Sequence, residues 1–267
     1  MGDFGSKLRN NGEAEELVIE HVTHAYGELT VLGDVSLHVR SGEIVAIVGP
    51  SGCGKSTLLR IVGGLERPSR GRVFYRGSAV RSNSIAYVFQ DASLLPWRSV
   101  AQNVALVLEH RPFSRAERRE RVREALARVN LTNFANAFPR QLSGGMRQRT
   151  GIARALVVEP DLVLFDEPLS ALDAQTHDLV RGELLQLWAQ LKFSAVYVTH
   201  NLIEATLVAH RVVILSRLPG RVKDIVRLSS CPGSRADNDP EVIQARRHIW
   251  NLLSEDSAKV DQEVVHG

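Results

Sequence analysis

Residues 43–57 read EIVAIVGPSGCGKST, and no other stretch restricts the possible folds of this chain as strongly. Ile44 to Val48 is an unbroken apolar run rich in β-branched residues, the pattern of a strand covered on both faces inside a parallel sheet. Gly49, Pro50, Ser51, Gly52, Cys53, Gly54, Lys55, Ser56 and Thr57 follow, fitting G-x-x-x-x-G-K-[ST]. Glycines at such a turn let successive backbone N–H groups face phosphate oxygens. The helix predicted next, with Leu58, Leu59 and Val62 on one face and Gly63 and Gly64 as its stop, adds the positive end of its dipole. In this motif the lysine, here Lys55, reaches β- and γ-phosphates, and the hydroxyl, here Ser56, ligates magnesium.

Strand and helix patterns alternate along the rest of the chain. Residues 16–22, 35–39, 72–77, 84–90, 161–168, 195–200, 211–215 and 224–228 read as strands. Helical periodicity dominates from 100 to about 158, and further helices are expected at 174–191 and from 202. Within SRAERRERVREALARV, Val122, Leu126 and Val129 share one side, and the charges form a solvated face. Residues 229–240, SSCPGSRADNDP, read as a linker before a C-terminal packing helix. The alternation argues an α/β fold with an inserted helical lobe.

The second group of chemically capable residues lies at strand ends, where open α/β sheets bind ligands. LVLFDEP places Asp166 and Glu167 there. Asp166 is positioned to act on magnesium and Glu167 to take a proton from an attacking water. His200 ends another predicted strand and is a candidate for a γ-phosphate contact. Gln90 ends AYVFQ and is a candidate for the metal or the water.

Composition excludes several classes. At 267 residues, with 44% hydrophobic and 24% charged residues, the chain can bury a core. Its two cysteines, Cys53 and Cys231, form no C-x-x-C pair, so neither a disulfide framework nor a zinc site is expected and a reducing compartment fits. Cys53 lies inside the phosphate loop and is expected to make it sensitive to thiol reagents. No run of 18 apolar residues suggests a membrane span. Residues 1–16 lack the apolar core of a signal peptide and read as a polar tail, although Gly2 and Ser6 fit the short myristoylation pattern. The net charge is +3, and arginine supplies 28 of the 33 basic residues. No aromatic residues are interleaved with them as a stacking surface needs, so nucleic acid is not an expected partner.

A second glycine pair, in LSGGMRQR at 142–149, leads into a basic helix and has the same phosphate-binding character as the first loop. With this motif in place, the chain resembles an ATP-binding cassette (ABC) ATPase over about residues 17–228. The family's motifs occur in its order: Walker A at 49–57, the glutamine loop at Gln90, the signature at 142–146, Walker B at 162–167, the D-loop at 170–173 and the switch histidine His200. The resemblance implies a P-loop NTPase core with a mixed sheet, N-terminal antiparallel strands and an α-helical subdomain inserted at about 91–160. It implies domain limits of 1–15 for a flexible tail, 16–228 for the ATPase and 229–267 for a linker and C-terminal helix. ATP and Mg2+ are the implied cofactors, with Ser56, Gln90 and Asp166 near the metal, Glu167, His200 and Lys55 as catalytic residues, and Tyr26 as the platform for adenine. Ser143, Gly144 and Gly145 would bind the γ-phosphate held by a second copy in a head-to-tail dimer, so that one chain contributes half of each of two sites. Two positions depart from the usual pattern: Met146 stands where glutamine is commonest, and Asn201 where aspartate usually follows the histidine.

LLPW at 94–97, with the signature, is similar to the nitrate/sulfonate/taurine importer group. Leu94, Leu95 and Trp97 would then line a groove for the membrane subunit. The expected protein is the ATP-hydrolysing subunit of an import system, peripheral on the cytoplasmic face of the inner membrane. Its partners would be integral membrane permease subunits and, indirectly, an extracytoplasmic solute-binding protein. An export or lipid-trafficking cassette would share these motifs. A soluble, non-transport ABC ATPase usually carries tandem cassettes, coiled-coil insertions or basic extensions.

Overall fold

The computed structural model describes residues 15–75, 78–79 and 85–265. The tail and its Gly2–Ser6 pattern lie outside them, apart from Glu15, which already belongs to a strand. β1 (Glu15–Tyr26) and β2 (Leu29–Arg40) form an antiparallel hairpin whose tight turn carries Gly27 at φ 60°. β3 (Ile44–Val48) then enters the other sheet, and α1 (Lys55–Val62) follows it. β4 (Arg70–Tyr75) and β5 (Ser78–Ala79) complete a four-stranded sheet of order β2-β1-β4-β5.

The second sheet takes in β6 (Ile85–Val88), β7 (Leu162–Asp166), β8 (Ser194–Val198), β9 (Arg211–Leu215) and β10 (Val222–Arg227). Its order is β10-β9-β3-β8-β7-β6, parallel except for β10. Every residue of β3 is buried, and its side chains alternate between two cores. Val45 and Ile47 pack with the antiparallel sheet and α1, whereas Ile44, Ala46 and Val48 face the larger helical core. That two-sided cover explains why the sequence shows no polar alternation here.

Between β6 and β7 lie α2 (Val100–Ala105), α3 (Arg115–Arg128) and α4 (Gly144–Leu156), packed on one another. Capping boxes open the first two: Ser99 with Gln102, and Ser114 with Glu117. Val122, Leu126 and Val129 are buried together, and the charged face of α3 is outside. α5 (Ala174–Leu191), α6 (Leu202–Val208) and α7 (Pro240–Val265) are the remaining α-helices among the described residues.

Three expectations need correction. The hairpin strands run well beyond 16–22 and 35–39, because register shifts along β1 break the two-residue alternation that marks a strand. β6 and β8 end at Val88 and Val198, so Gln90 and His200 stand two residues beyond their strands rather than closing them. Residues 229–239 lack regular structure, Pro240 already opens α7, and the segment is no free linker. Arg235 is buried there, donating to the Thr206 and Ala209 carbonyls at the end of α6 and to both Ser230 oxygens. The segment's polar groups bond one another and also the end of α6 and the first turn of α7, where Glu241 accepts from Ser229 and Ser230.

A buried ion pair ties the start of β3 to β9. Arg211 donates through Nε to Glu43 Oε1 at 2.7 Å and through its terminal nitrogen to Glu43 Oε2 and the His38 carbonyl. Burial alone would raise the Glu43 carboxyl, yet the Arg211 bonds outweigh it and hold the group below its usual range. Arg211→Leu strands that carboxylate and is expected to destabilise the fold by about 3–5 kcal/mol, read as a lower urea midpoint with an unchanged m-value.

Candidate functional site

The loop between β3 and α1 is built around two positions that only glycine fits. Gly54 has φ 98°, and a Cβ there would lie 2.7 Å from the Leu32 side chain. A Cβ on Gly49 would meet Cys53 Sγ at 2.8 Å and the Leu215 carbonyl at 3.0 Å. The loop thus closes tightly enough to turn its N–H groups inward. Lys55 is buried, and Nζ donates to the Gly49 and Pro50 carbonyls at 2.9 Å each. The ammonium is therefore held in place before any ligand arrives.

Cys53 does not behave as its position suggests. Its thiol packs in the core with only 1% exposure, and burial pushes it up from the ordinary thiol range. A buried, protonated thiol is a poor nucleophile, so the expected reagent sensitivity is not supported.

The carboxylates follow from strand register. β7 pairs β8 through Asp166↔Val198, and the Glu167 N–H donates to the Val198 carbonyl at 2.9 Å. Glu167 takes φ 47°, a left-handed conformation that costs a non-glycine residue on the order of 1–3 kcal/mol. The Ser170 hydroxyl and N–H both donate to its carbonyl, bracing the turn. Its Oε2 lies 2.9 Å from His200 Nδ1. Asp166 accepts from Ser56 Oγ through one oxygen and from the Tyr87 hydroxyl through the other, both at 2.9 Å. Burial first, and then the Asp166 carboxylate, push the Tyr87 phenol up.

One cavity of about 490 Å³ is lined by Tyr26, Val31, Ser51, Gly52, Gly54, Lys55, Ser56, Thr57, Glu167 and His200. Tyr26 closes β1, is 47% exposed, and donates its hydroxyl to Glu66 Oε2 at 2.6 Å. Gln90 is exposed and does not line this cavity. Neither do Ser143, Gly144 and Gly145. Ser143 caps α4 by accepting the Met146 N–H, and the helix opens at Gly144. The first N–H groups of α4 therefore have no acceptor within the helix. A Cβ on Gly145 would meet Thr176 Cγ2 at 2.5 Å, so that glycine also permits close packing on α5. Asn201 caps α6, accepting from the Ile203 and Glu204 N–H groups, a role open equally to aspartate.

Three contributors are not legible in the sequence. Tyr87 reads there as an ordinary strand aromatic, and Glu66 as a loop charge. Gly220 approaches the phosphate loop so closely that a Cβ would lie 2.1 Å from the Cys53 carbonyl. Its only sequence signal is the Pro219–Gly220 pair, which marks a turn and says nothing about what the turn touches.

An oxygen-only pair, Ser56 and Asp166, suits a hard cation such as magnesium. Among the described residues no cluster of three or more His, Cys, Asp or Glu side chains forms.

Comparison with known proteins agrees with this geometry. The family profile described as ABC transporter matches residues 32–170. An uncharacterised ABC transporter ATP-binding protein of Methanocaldococcus jannaschii, MJ0412, is 39% identical over 250 residues, covering 91% of this chain and 93% of that protein. The Fe(3+) ions import ATP-binding protein FbpC 1 of Haemophilus influenzae is 40% identical over 75% of this chain and 63% of its own length. Among solved structures, cbiO1 from Clostridium perfringens, part of the ABC transporter complex cbiONQ, superposes with a TM-score of 0.74 at 28% identity, over 80% of this chain and 89% of that one. The dimeric cassette MJ0796 does so with a TM-score of 0.71 at 34% identity, over 80% of this chain and all of that one. A profile spanning more than half of the sequence, and a relative matched over nearly its whole length, establish that the chain belongs to the ABC transporter family, as an ATP-binding subunit that hydrolyses ATP.

Proposed function

We propose that this ATPase drives an importer, and that it works as a head-to-tail pair in which each ATP lies between residues 49–57 of one copy and Ser143–Gly145 of the other. The observation that carries this reading is the division of the phosphate-binding backbone. The 49–57 loop shares a cavity with Glu167 and His200, whereas the α4 N-terminus opens elsewhere. MJ0796, whose solved cassette is described as dimeric, supports pairing.

In the proposed cycle Lys55 binds the β- and γ-phosphates, and the loop N–H groups cradle them. Glu167 takes a proton from the attacking water at its carboxylate, and His200 keeps that carboxylate turned toward the cavity. Ser56 and Asp166 would hold Mg2+, with Gln90 approaching from the loop after β6. The metal's contribution when bound is to neutralise phosphate charge. Tyr26 offers its ring to the base. Because Glu66 already occupies its hydroxyl, the ring reads a π-face and not a base edge. Tyr26→Ala should therefore weaken ATP and GTP alike by about 1–3 kcal/mol, whereas Tyr26→Phe should retain most of the affinity in a nucleotide titration.

The membrane partner would seat in the helical lobe. Trp97 is 70% exposed, and the lobe also carries a groove of about 680 Å³ whose lining mixes Ala101, Ala105, Val122 and Leu126 with Arg115 and Arg119 and includes none of Leu94, Leu95 and Trp97. Leu94, expected to line a groove for the membrane subunit, instead packs against the core. Among the described residues no helix is long and apolar enough to cross a membrane, so peripheral binding through this lobe is the reading. Import is favoured by the relatives named for it. Their names specify Fe(3+), whereas residues 94–97 resemble the nitrate/sulfonate/taurine group. The cassette touches no cargo, so the permease and an extracytoplasmic binding protein would select it. Co-purification with a multi-span membrane protein, followed by ATP-dependent uptake in proteoliposomes, tests the reading. An active ATPase with no such partner would sink it.

A further inference from the structure

We propose that Tyr87 is a positioning residue for the metal site, locking the Asp166 carboxylate so that only one of its oxygens is offered to the cation. The inference rests on the reading of Ser56 and Asp166 as the magnesium pair. Asp166 stands at the end of β7 with both oxygens engaged: Oδ1 by Ser56 Oγ and Oδ2 by the Tyr87 hydroxyl, each at 2.9 Å. A carboxylate free to rotate about its last torsion populates a broad range of orientations. Two hydroxyl donors from opposite neighbours remove that freedom. Ser56 lies on α1 behind the phosphate loop, and Tyr87 comes from β6 on the far side of β7, paired through Tyr87↔Leu164.

The Tyr87 ring is itself fixed. It is half-buried and stacks on Phe89 with centroids 4.3 Å apart and planes 29° apart. A phenol held by stacking and by a strand ladder is a rigid donor, which is what an outer partner needs in order to orient a ligand. The same strand leads within two residues to the loop that carries Gln90. Tyr87 therefore makes the metal site and the start of that loop one mechanical unit.

Tyr87→Phe removes one oxygen atom and keeps the ring, its stacking and the strand. Binding of Mn2+ to the full chain with a non-hydrolysable ATP analogue, followed by electron paramagnetic resonance, should weaken about tenfold, the lower end for loss of an outer-shell partner. Binding of the same nucleotide in EDTA should not change. Unchanged Mn2+ affinity would overturn the proposal. So would an equal loss with and without metal, which would make Tyr87 a support of the fold alone. Ser56→Ala, measured in parallel, separates the two layers of the argument. If Ser56→Ala weakens Mn2+ binding and Tyr87→Phe does not, the metal pair stands and the positioning role fails. If neither variant changes it, the metal pair fails and the proposal with it.

Discussion

Glu167→Gln should keep ATP bound while lowering the hydrolysis rate by about 10²–10⁴-fold, the usual contribution of a general base. Glutamine preserves the shape and can still hydrogen-bond, but it cannot take a proton. The substitution leaves the braced turn intact, because Ser170 holds the Glu167 carbonyl and not its side chain. Unhydrolysed ATP should then hold two chains together through Ser143–Gly145, so light scattering after size exclusion should show a monomer without nucleotide, a dimer with millimolar ATP and a monomer with ADP. Adding Ser143→Arg should abolish the dimer by placing a bulky side chain over the N–H groups at the α4 N-terminus. That change also removes the cap bond to Met146, costing about 1 kcal/mol, which a thermal melt can monitor. A double variant that dimerises as well as Glu167→Gln alone would refute the shared site.

Lys55→Ala should cost at least about 3 kcal/mol of ATP affinity, or roughly a hundredfold in Kd, because charge-assisted bonds to phosphate are lost in a largely desolvated loop. Lys55 also satisfies the Gly49 and Pro50 carbonyls, so the melting temperature of the empty protein should fall as well. The two effects are separable. Lys55→Met keeps much of the stem packing but donates nothing to those carbonyls, so it should recover only the packing part of the stability and none of the affinity in isothermal titration. Affinity at the wild-type level in both variants would remove Lys55 from the phosphate site.

The parts of the site that are legible in the amino-acid order share a local cause. The bend after β3 needs glycines at Gly49 and Gly54, and a helix that starts at Lys55 needs no distant partner to declare itself. The patterns at 174–191 and 211–215 coincide with α5 and β9, because the first is long and the second is continuously apolar and mostly β-branched after Arg211. β1 reads too short because its bulges shift the alternation. The polarity of 229–240 hides an anchored segment, since a buried arginine and a solvated one look alike in a sequence.

Spacing and local backbone preference suffice for the phosphate loop and for the placing of Asp166, Glu167 and His200 at or just past the ends of strands, and the resemblance to a family adds the order of the motifs. A linear chain carries these openly. Three other features exist only once the sheets and helices have packed. Glu167 is held left-handed against Val198 beside His200, Tyr87 and Ser56 divide the two Asp166 oxygens, and Ser143–Gly145 lie outside the cavity of their own chain's phosphate loop. Each of these relates elements that are 30 or more residues apart or on opposite sides of a strand. Such relations arise from sheet order and register, here β3-β8-β7-β6, and not from any preference of the residues that make them.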